Sequence, residues 1–273
     1  MSSNPGWSQA NPEPAPVLEN PSPIAGVRAP SENPPWTGWD VLRIAGLTLA
    51  MIFAFVLVFM IGAQKLLYPK VPIMEVGKFP LVSVFAQLGA YLVVLAFMYS
   101  VATQSGESFG KAISWNWPGT RAAIYLFAGV VFSIALQGLA QLLPMPKSLP
   151  IDIFFQTPLE AWVLSIFGMT LAPLLEEFFF RGFLYPVLAR KLGAVIAVAL
   201  TAIAFCAIHV QQLGKAWGPV LIVFLIGLVL TIIRAATKSV AAGVLTHIAY
   251  NGTISALAFK VTDGFRHLDK IAR

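Results

Sequence analysis

The residues of this chain best suited to chemistry lie in three short stretches. The first is Leu174-Leu175-Glu176-Glu177-Phe178-Phe179-Phe180-Arg181-Gly182, two adjacent acids and an arginine among leucine and phenylalanine. On a helix, Glu177 and Arg181 stand i,i+4 with the acid N-terminal, the better orientation for an ion pair. Glu176 lies about 100° further round, so Arg181 neutralises it less directly. That suits a division of labour, with one acid held by the arginine and the other free to take a proton. The second stretch is Phe205-Cys206-Ala207-Ile208-His209, whose ends share a helical face. The third is His247-Ile248-Ala249-Tyr250-Asn251, where His247 and Asn251 share a face in the same way and can aim donors at one point.

Each stretch alone has a plain explanation. Charges near a helix end snorkel into headgroups, a lone histidine at a membrane boundary is usually just solvated, and a His–Asn pair often glues two helices together. None of these explains why all three occur, in separate apolar segments of the C-terminal half, with two of the chain's three histidines among them. A shared polar site is the economical account. Its chemistry would be hydrolysis: Glu176 as general base on a water, His209 orienting it and passing the proton to the leaving amine. His247 and Asn251 would hydrogen-bond the oxyanion, while Glu177 and Arg181 fix the helix. A divalent metal such as zinc on Glu176, His209 and His247 is the competing view, although no H-E-x-x-H spacing supports it. No Ser-His-Asp order or G-x-S-x-G elbow is present, and Cys206 sits in an apolar run as a small hydrophobe. Gln137 and Gln141, also i,i+4, are uncharged amides suited to packing.

The elements that must position these groups are membrane helices. Of 273 residues 58% are apolar and only 11% charged, with a mean hydropathy of +0.77. A soluble domain carries about a quarter charged residues, so a soluble enzyme, a disordered hub and a nucleic-acid module are all excluded. The net charge of +6 then reads as loop lysines and arginines beside anionic lipid. One cysteine rules out a disulfide framework. Apolar runs at Ile44–Ala63, Leu81–Ala102, Ala122–Leu143, Leu159–Phe180, Ala194–Val210, Pro219–Ile233 and Val240–Phe259 predict an all-α, polytopic bundle of about seven (six to eight) transmembrane helices. Trp36, Trp39, Trp115, Trp117, Trp162 and Trp217 sit near predicted helix ends, as interfacial aromatics do. Residues 1–38, with nine prolines before Trp36, predict a disordered tail. Residues 39–265 form the membrane domain, with a catalytic core at about 158–259, and 266–273 make a short basic tail. Lys and Arg divide almost evenly between the two sides, so orientation is not readable.

The ordered set Glu176-Glu177-x-x-x-Arg181, Phe205-x-x-x-His209 and His247-x-x-x-Asn251 resembles the CPBP intramembrane proteases, the CAAX-protease and bacteriocin-processing (Abi) family. Ala172-Pro173 before the acids and Phe180-Arg181-Gly182-Phe183-Leu184-Tyr185-Pro186 around the arginine match as well. The resemblance covers about Pro158 to Phe259. It implies a multi-pass endopeptidase with its site below the membrane surface, no required cofactor in the favoured glutamate mechanism, and a membrane-associated, in some relatives prenylated, peptide or protein substrate. The cell membrane of a prokaryote or the endoplasmic reticulum of a eukaryote would house it. The alternatives are a proton-coupled transporter, against which stands the lack of a second copy of the Glu176 segment, and a non-catalytic scaffold or immunity protein.

Overall fold

Two capping boxes mark where the chain enters its helices. At the first, the Thr37 N–H donates to Asp40 Oδ2 at 2.9 Å. At the second, the Thr157 N–H donates to Glu160 Oε2 at 3.0 Å, and the Glu160 N–H returns a bond to Thr157 Oγ1 at 3.3 Å. Glu160 lies at the very start of its helix rather than within the apolar run. With Pro158 at the first helical position it is a start signal.

The computed structural model describes Met1 and residues 33–270, and among the described residues there is no strand. The order is α1 (Gly38–Leu66), a single turn α2 (Ile73–Val76), α3 (Pro80–Thr103), a second single turn α4 (Phe109–Ala112), α5 (Ala122–Ala140), α6 (Pro158–Met169) and α7 (Leu171–Glu177). A π-helical segment (Phe178–Leu184) then leads into α8 (Tyr185–Leu192), α9 (Ala194–His209), α10 (Trp217–Thr237) and α11 (Val240–Val261). All seven apolar runs are helical, and the protein is an all-α, multi-pass membrane bundle. Five stretches are long and apolar enough to cross: Gly38–Leu66, Pro80–Thr103, Gly119–Ala140, Pro158–Leu192 and Trp217–Thr237. Of the other two expected crossings, α9 is apolar but only 16 residues long. The 22-residue α11 carries His247, Asn251, Thr246 and Thr253, which lower its hydropathy.

The 35-residue stretch Pro158–Leu192 is not one regular helix. Thr170, at φ −122° and ψ −76°, breaks it between α6 and α7. Pro173 lacks the N–H that would reach back to the carbonyl of Met169, so the ladder is open at that point too. The acids follow directly, and the π segment follows them.

Around this broken span, α1 packs on α3, α5 on α11, α9 on α8 and α10, and α11 on α6 and α7. Lipid supplies no hydrophobic drive between helices, so close approach matters more. At Gly129 of α5 a Cβ would run into the Thr246 carbonyl oxygen of α11 and sit 2.8 Å from the Ala249 Cβ. Only a glycine lets these helices touch there. The π segment lies between two apolar cores. Phe183 packs with Trp36, Ile44, Met98 and Ile113 on one side, and Phe180 packs with Phe205, Leu230 and Tyr250 on the other.

Of the expected tail, 1–38, residues 2–32 lie outside the described residues, as do residues 271–273 of the expected C-terminal tail. Residues 33–37 are tied down. Arg190 Nη1 donates to Asn33 Oδ1 at 3.2 Å and to the Pro34 carbonyl at 3.0 Å, and Nη2 donates to the Trp36 carbonyl at 3.2 Å. Trp36, read from the sequence as an interfacial aromatic, is instead buried. Its ring stacks on Phe183 at 4.4 Å.

Candidate active site

Glu177 and Arg181 are both fully buried and paired, Nη1 to Oε1 at 2.7 Å. The guanidinium is bonded from three directions. Besides Glu177, its Nε donates to Thr231 Oγ1 at 3.2 Å and its Nη2 to the Gly227 carbonyl at 2.8 Å. Phe205 lies under it, 4.7 Å from ring centroid to Cζ. Such multiple satisfaction is what lets an ion pair persist out of water. The expected i,i+4 pair therefore forms, although the backbone just after Glu177 is π-helical rather than α-helical. Pro186, just beyond the segment, has no N–H to close the turn behind it. Single π turns of this kind recur at functional sites.

Glu177 Oε1 accepts a second bond, from His247 Nδ1 at 3.0 Å. An ionised carboxylate only accepts, so the Nδ1 of His247 carries the proton and its Nε2 is turned elsewhere. That nitrogen stands 3.8 Å from Glu176 Oε2. His209 repeats the arrangement from α9. Its Nδ1 donates to the Phe205 carbonyl at 2.8 Å, and its Nε2 stands 3.9 Å from Glu176 Oε1. Both imidazoles are thus locked at one nitrogen and face Glu176 with the other. The separations exceed a direct hydrogen bond and match a gap that one bridging oxygen can fill.

The two acids differ as the sequence suggested. Glu176 and His209 keep 20% of their side-chain surface exposed, whereas Glu177 keeps none. Among the described residues Glu177 Oε2 has no hydrogen-bond partner, and it occupies the space that a Cβ on Gly243 would need, 2.7 Å away. Phe205 sits centrally, its ring 4.8 Å from that of His209 and 5.9 Å from that of His247. Asn251 is one helical turn beyond His247, and its Nδ2 donates to the Gly168 carbonyl of α6 at 2.7 Å. One of its two amide hydrogens therefore ties α11 to α6. Gln137 and Gln141 are not part of the cluster.

Sequence reasoning missed two participants. Arg234 reads as a loop charge outside the membrane. In the structure it is buried, with its Nε donating to the Arg181 carbonyl at 3.1 Å and its guanidinium 5.4 Å from the Tyr185 ring centroid. Trp36 donates its indole N–H to the Phe183 carbonyl at 3.1 Å. For Arg234 the available signal was Pro186, which announces an orphaned carbonyl one turn earlier and so a donor from elsewhere; no local signal marks Trp36. Among the described residues, no group of three or more His, Cys, Asp and Glu side chains is arranged to hold a metal ion.

An all-helical bundle with lipid-length apolar helices and a walled-in cluster of acids and imidazoles has the groups that an integral membrane protease needs. Residues 158–253, a little over a third of the chain, match the family described as type II CAAX prenyl endopeptidase Rce1-like. The matched segment contains every residue of the cluster from Glu176 to Asn251. No curated protein and no solved structure matches the chain.

Proposed function

We propose that this CAAX-type membrane endopeptidase cleaves its substrate with a water activated by Glu176 and His209. The observation that carries the reading is the convergence of two Nε2 atoms, from α9 and α11, on the two oxygens of Glu176. A water bridging Glu176 and His209 gives a proton to the Glu176 carboxylate as its oxygen bonds to the scissile carbonyl carbon. The carbonyl oxygen, now an oxyanion, needs donors. His247 in its imidazolium form donates at Nε2 while Glu177 holds Nδ1, and Asn251 has a second amide hydrogen beyond the one given to Gly168. Collapse of the intermediate breaks the C–N bond. The proton held by Glu176 passes through His209 to the leaving amine. Glu177 and Arg181 do no chemistry in this scheme; they hold His247 and the turn that carries Glu176. No step requires a metal.

The partially exposed Glu176–His209 face suits a peptide presented at the membrane, and the family match favours a prenylated C-terminal substrate. The test is cleavage of an internally quenched farnesylated CAAX peptide, beside its unprenylated twin, by pure protein in lipid nanodiscs. Wild type and Gln137→Ala are expected to cleave the prenylated peptide, with or without prior chelation of divalent ions. Glu176→Ala and His209→Ala are expected to be inactive. Full activity in Glu176→Ala would sink the mechanism.

A further inference from the structure

The π segment needs outside help to hold its shape. In a π register each carbonyl accepts from the N–H five residues on, and in an α register from the N–H four on. Pro186 has no N–H in either case, so the Arg181 carbonyl (π) or the Gly182 carbonyl (α) is orphaned. The structure shows which: the Arg181 carbonyl takes its bond from Arg234 Nε at 3.1 Å, from α10. Two residues on, the Phe183 carbonyl accepts the Trp36 indole N–H at 3.1 Å. Both bonds are buried, and both come from elements far away in sequence.

We propose that Trp36 and Arg234 are positioning residues of the peptidase site, holding the π turn whose Arg181 side chain fixes Glu177 and, through it, His247. The path is continuous. The turn sets the Arg181 backbone, Arg181 Nη1 holds Glu177 Oε1 at 2.7 Å, and that oxygen holds His247 Nδ1 at 3.0 Å. His247 Nε2 then faces Glu176. If the turn relaxed to an α register, the residues after Glu177 would rotate about the helix axis and Arg181 would leave Thr231 and Gly227. The segment bearing Trp36 is not a loose end resting on the bundle. Arg190, six residues beyond the Gly182–Leu184 stretch in α8, clamps it through Asn33, Pro34 and the Trp36 carbonyl. The same helical corner is therefore gripped at Phe183 and at Arg190.

This inference rests on the proposed mechanism for its kinetic readout but not for its spectroscopic one. Trp36→Phe keeps an aromatic ring on Phe183 and removes only the N–H donor and part of the indole. Trp39→Phe, at a site 73% exposed and three residues away, is the control. With the farnesylated CAAX peptide as probe, Trp36→Phe is expected to lower kcat about tenfold with KM within about twofold, the signature of a misplaced catalytic group. Histidine-selective ¹⁵N spectra should show the His247 signals moved in Trp36→Phe and unmoved in Trp39→Phe. Arg234→Lys, which keeps the charge and loses Nε, is expected to move the same signals and stands in if Trp36→Phe does not fold. Unmoved His247 signals overturn the proposal, as does an unchanged kcat in a variant whose wild type cleaves the probe. A wild type that does not cleave the probe counts against the proposed mechanism instead, and the His247 spectra alone then decide the role of Trp36.

Discussion

The α1–α3 pair and the cluster formed by α7, the π segment, α9, α10 and α11 are built from similar apolar residues and use them differently. In α1 only Val41 and Ile44 are buried, while side chains such as Leu49 and Phe53 are about 70% exposed on the face that lipid covers. In the cluster, the fully or nearly buried side chains include Glu177, Arg181, Thr231, Arg234 and His247. Lipid is as apolar as leucine, so burying leucine against leucine there contributes little, and a helix like α1 is held mainly by its fit to α3 and to the bilayer. Polar groups behave in the opposite way. In a dry interior each must find a partner, so a few charged residues dictate the geometry of five elements. Specificity of structure in this bundle follows its polar residues.

That contrast can be broken, and the expected effects fall in a clear order. Glu176→Ala should cut turnover about 10²–10⁴-fold, the usual range for losing a general base. Its thermal unfolding should barely move, because among the described residues the nearest ionisable partner of Glu176 is His247 at 3.8 Å, beyond direct hydrogen-bond distance. Arg181→Ala strands Glu177 without its cation, and unfolding in detergent by denaturant should show a loss of about 3–5 kcal/mol. A smaller loss than that would mean water reaches Glu177. Gly243→Ala adds one carbon 2.7 Å from Glu177 Oε2. Overpacking of this kind costs about 1–3 kcal/mol, and because Glu177 must shift, kcat should fall together with the melting temperature. Leu92→Ala, on an exposed stretch of α3, should change stability by less than about 0.5 kcal/mol and leave turnover alone. An effect at Leu92 as large as that at Gly243 would erase the distinction between the two regions.

What could be read from the sequence follows the same division. The bundle was legible because apolar runs of membrane length leave little alternative to helix. The clustering of Glu176, Glu177, Arg181, His209 and His247 was legible because each lies at i,i+4 from a partner or in a segment that should exclude it. The π register was not. It depends on Pro186 together with donors at Trp36 and Arg234, separated from their acceptors by 147 and 53 positions, and no local pattern marks such a pairing. Arg234 illustrates the difficulty. Near the end of an apolar run it has the appearance of a headgroup anchor, and only the orphaned carbonyl of Arg181 gives it a reason to turn inward. Asn251 was expected to aim a donor at the same point as His247; in the structure its Nδ2 instead goes to the Gly168 carbonyl at the end of α6, next to the break at Thr170, while His247 Nδ1 goes to Glu177.

The partners of Arg181 also say something about how the protein is made. Glu177 is four residues away and can accompany the arginine into the membrane as a neutral pair within one segment. Thr231 and Gly227 come 50 and 46 residues later in the chain, and His247 follows Glu177 by 70. At about 5–20 residues per second of synthesis, the segment waits roughly 2–10 s for α10 before its guanidinium is fully satisfied. During that interval two charges sit in or beside the bilayer with only each other for company. Truncated nascent chains ending before α10 should therefore hold the Pro158–Leu192 segment loosely, and those extending past α11 should hold it firmly.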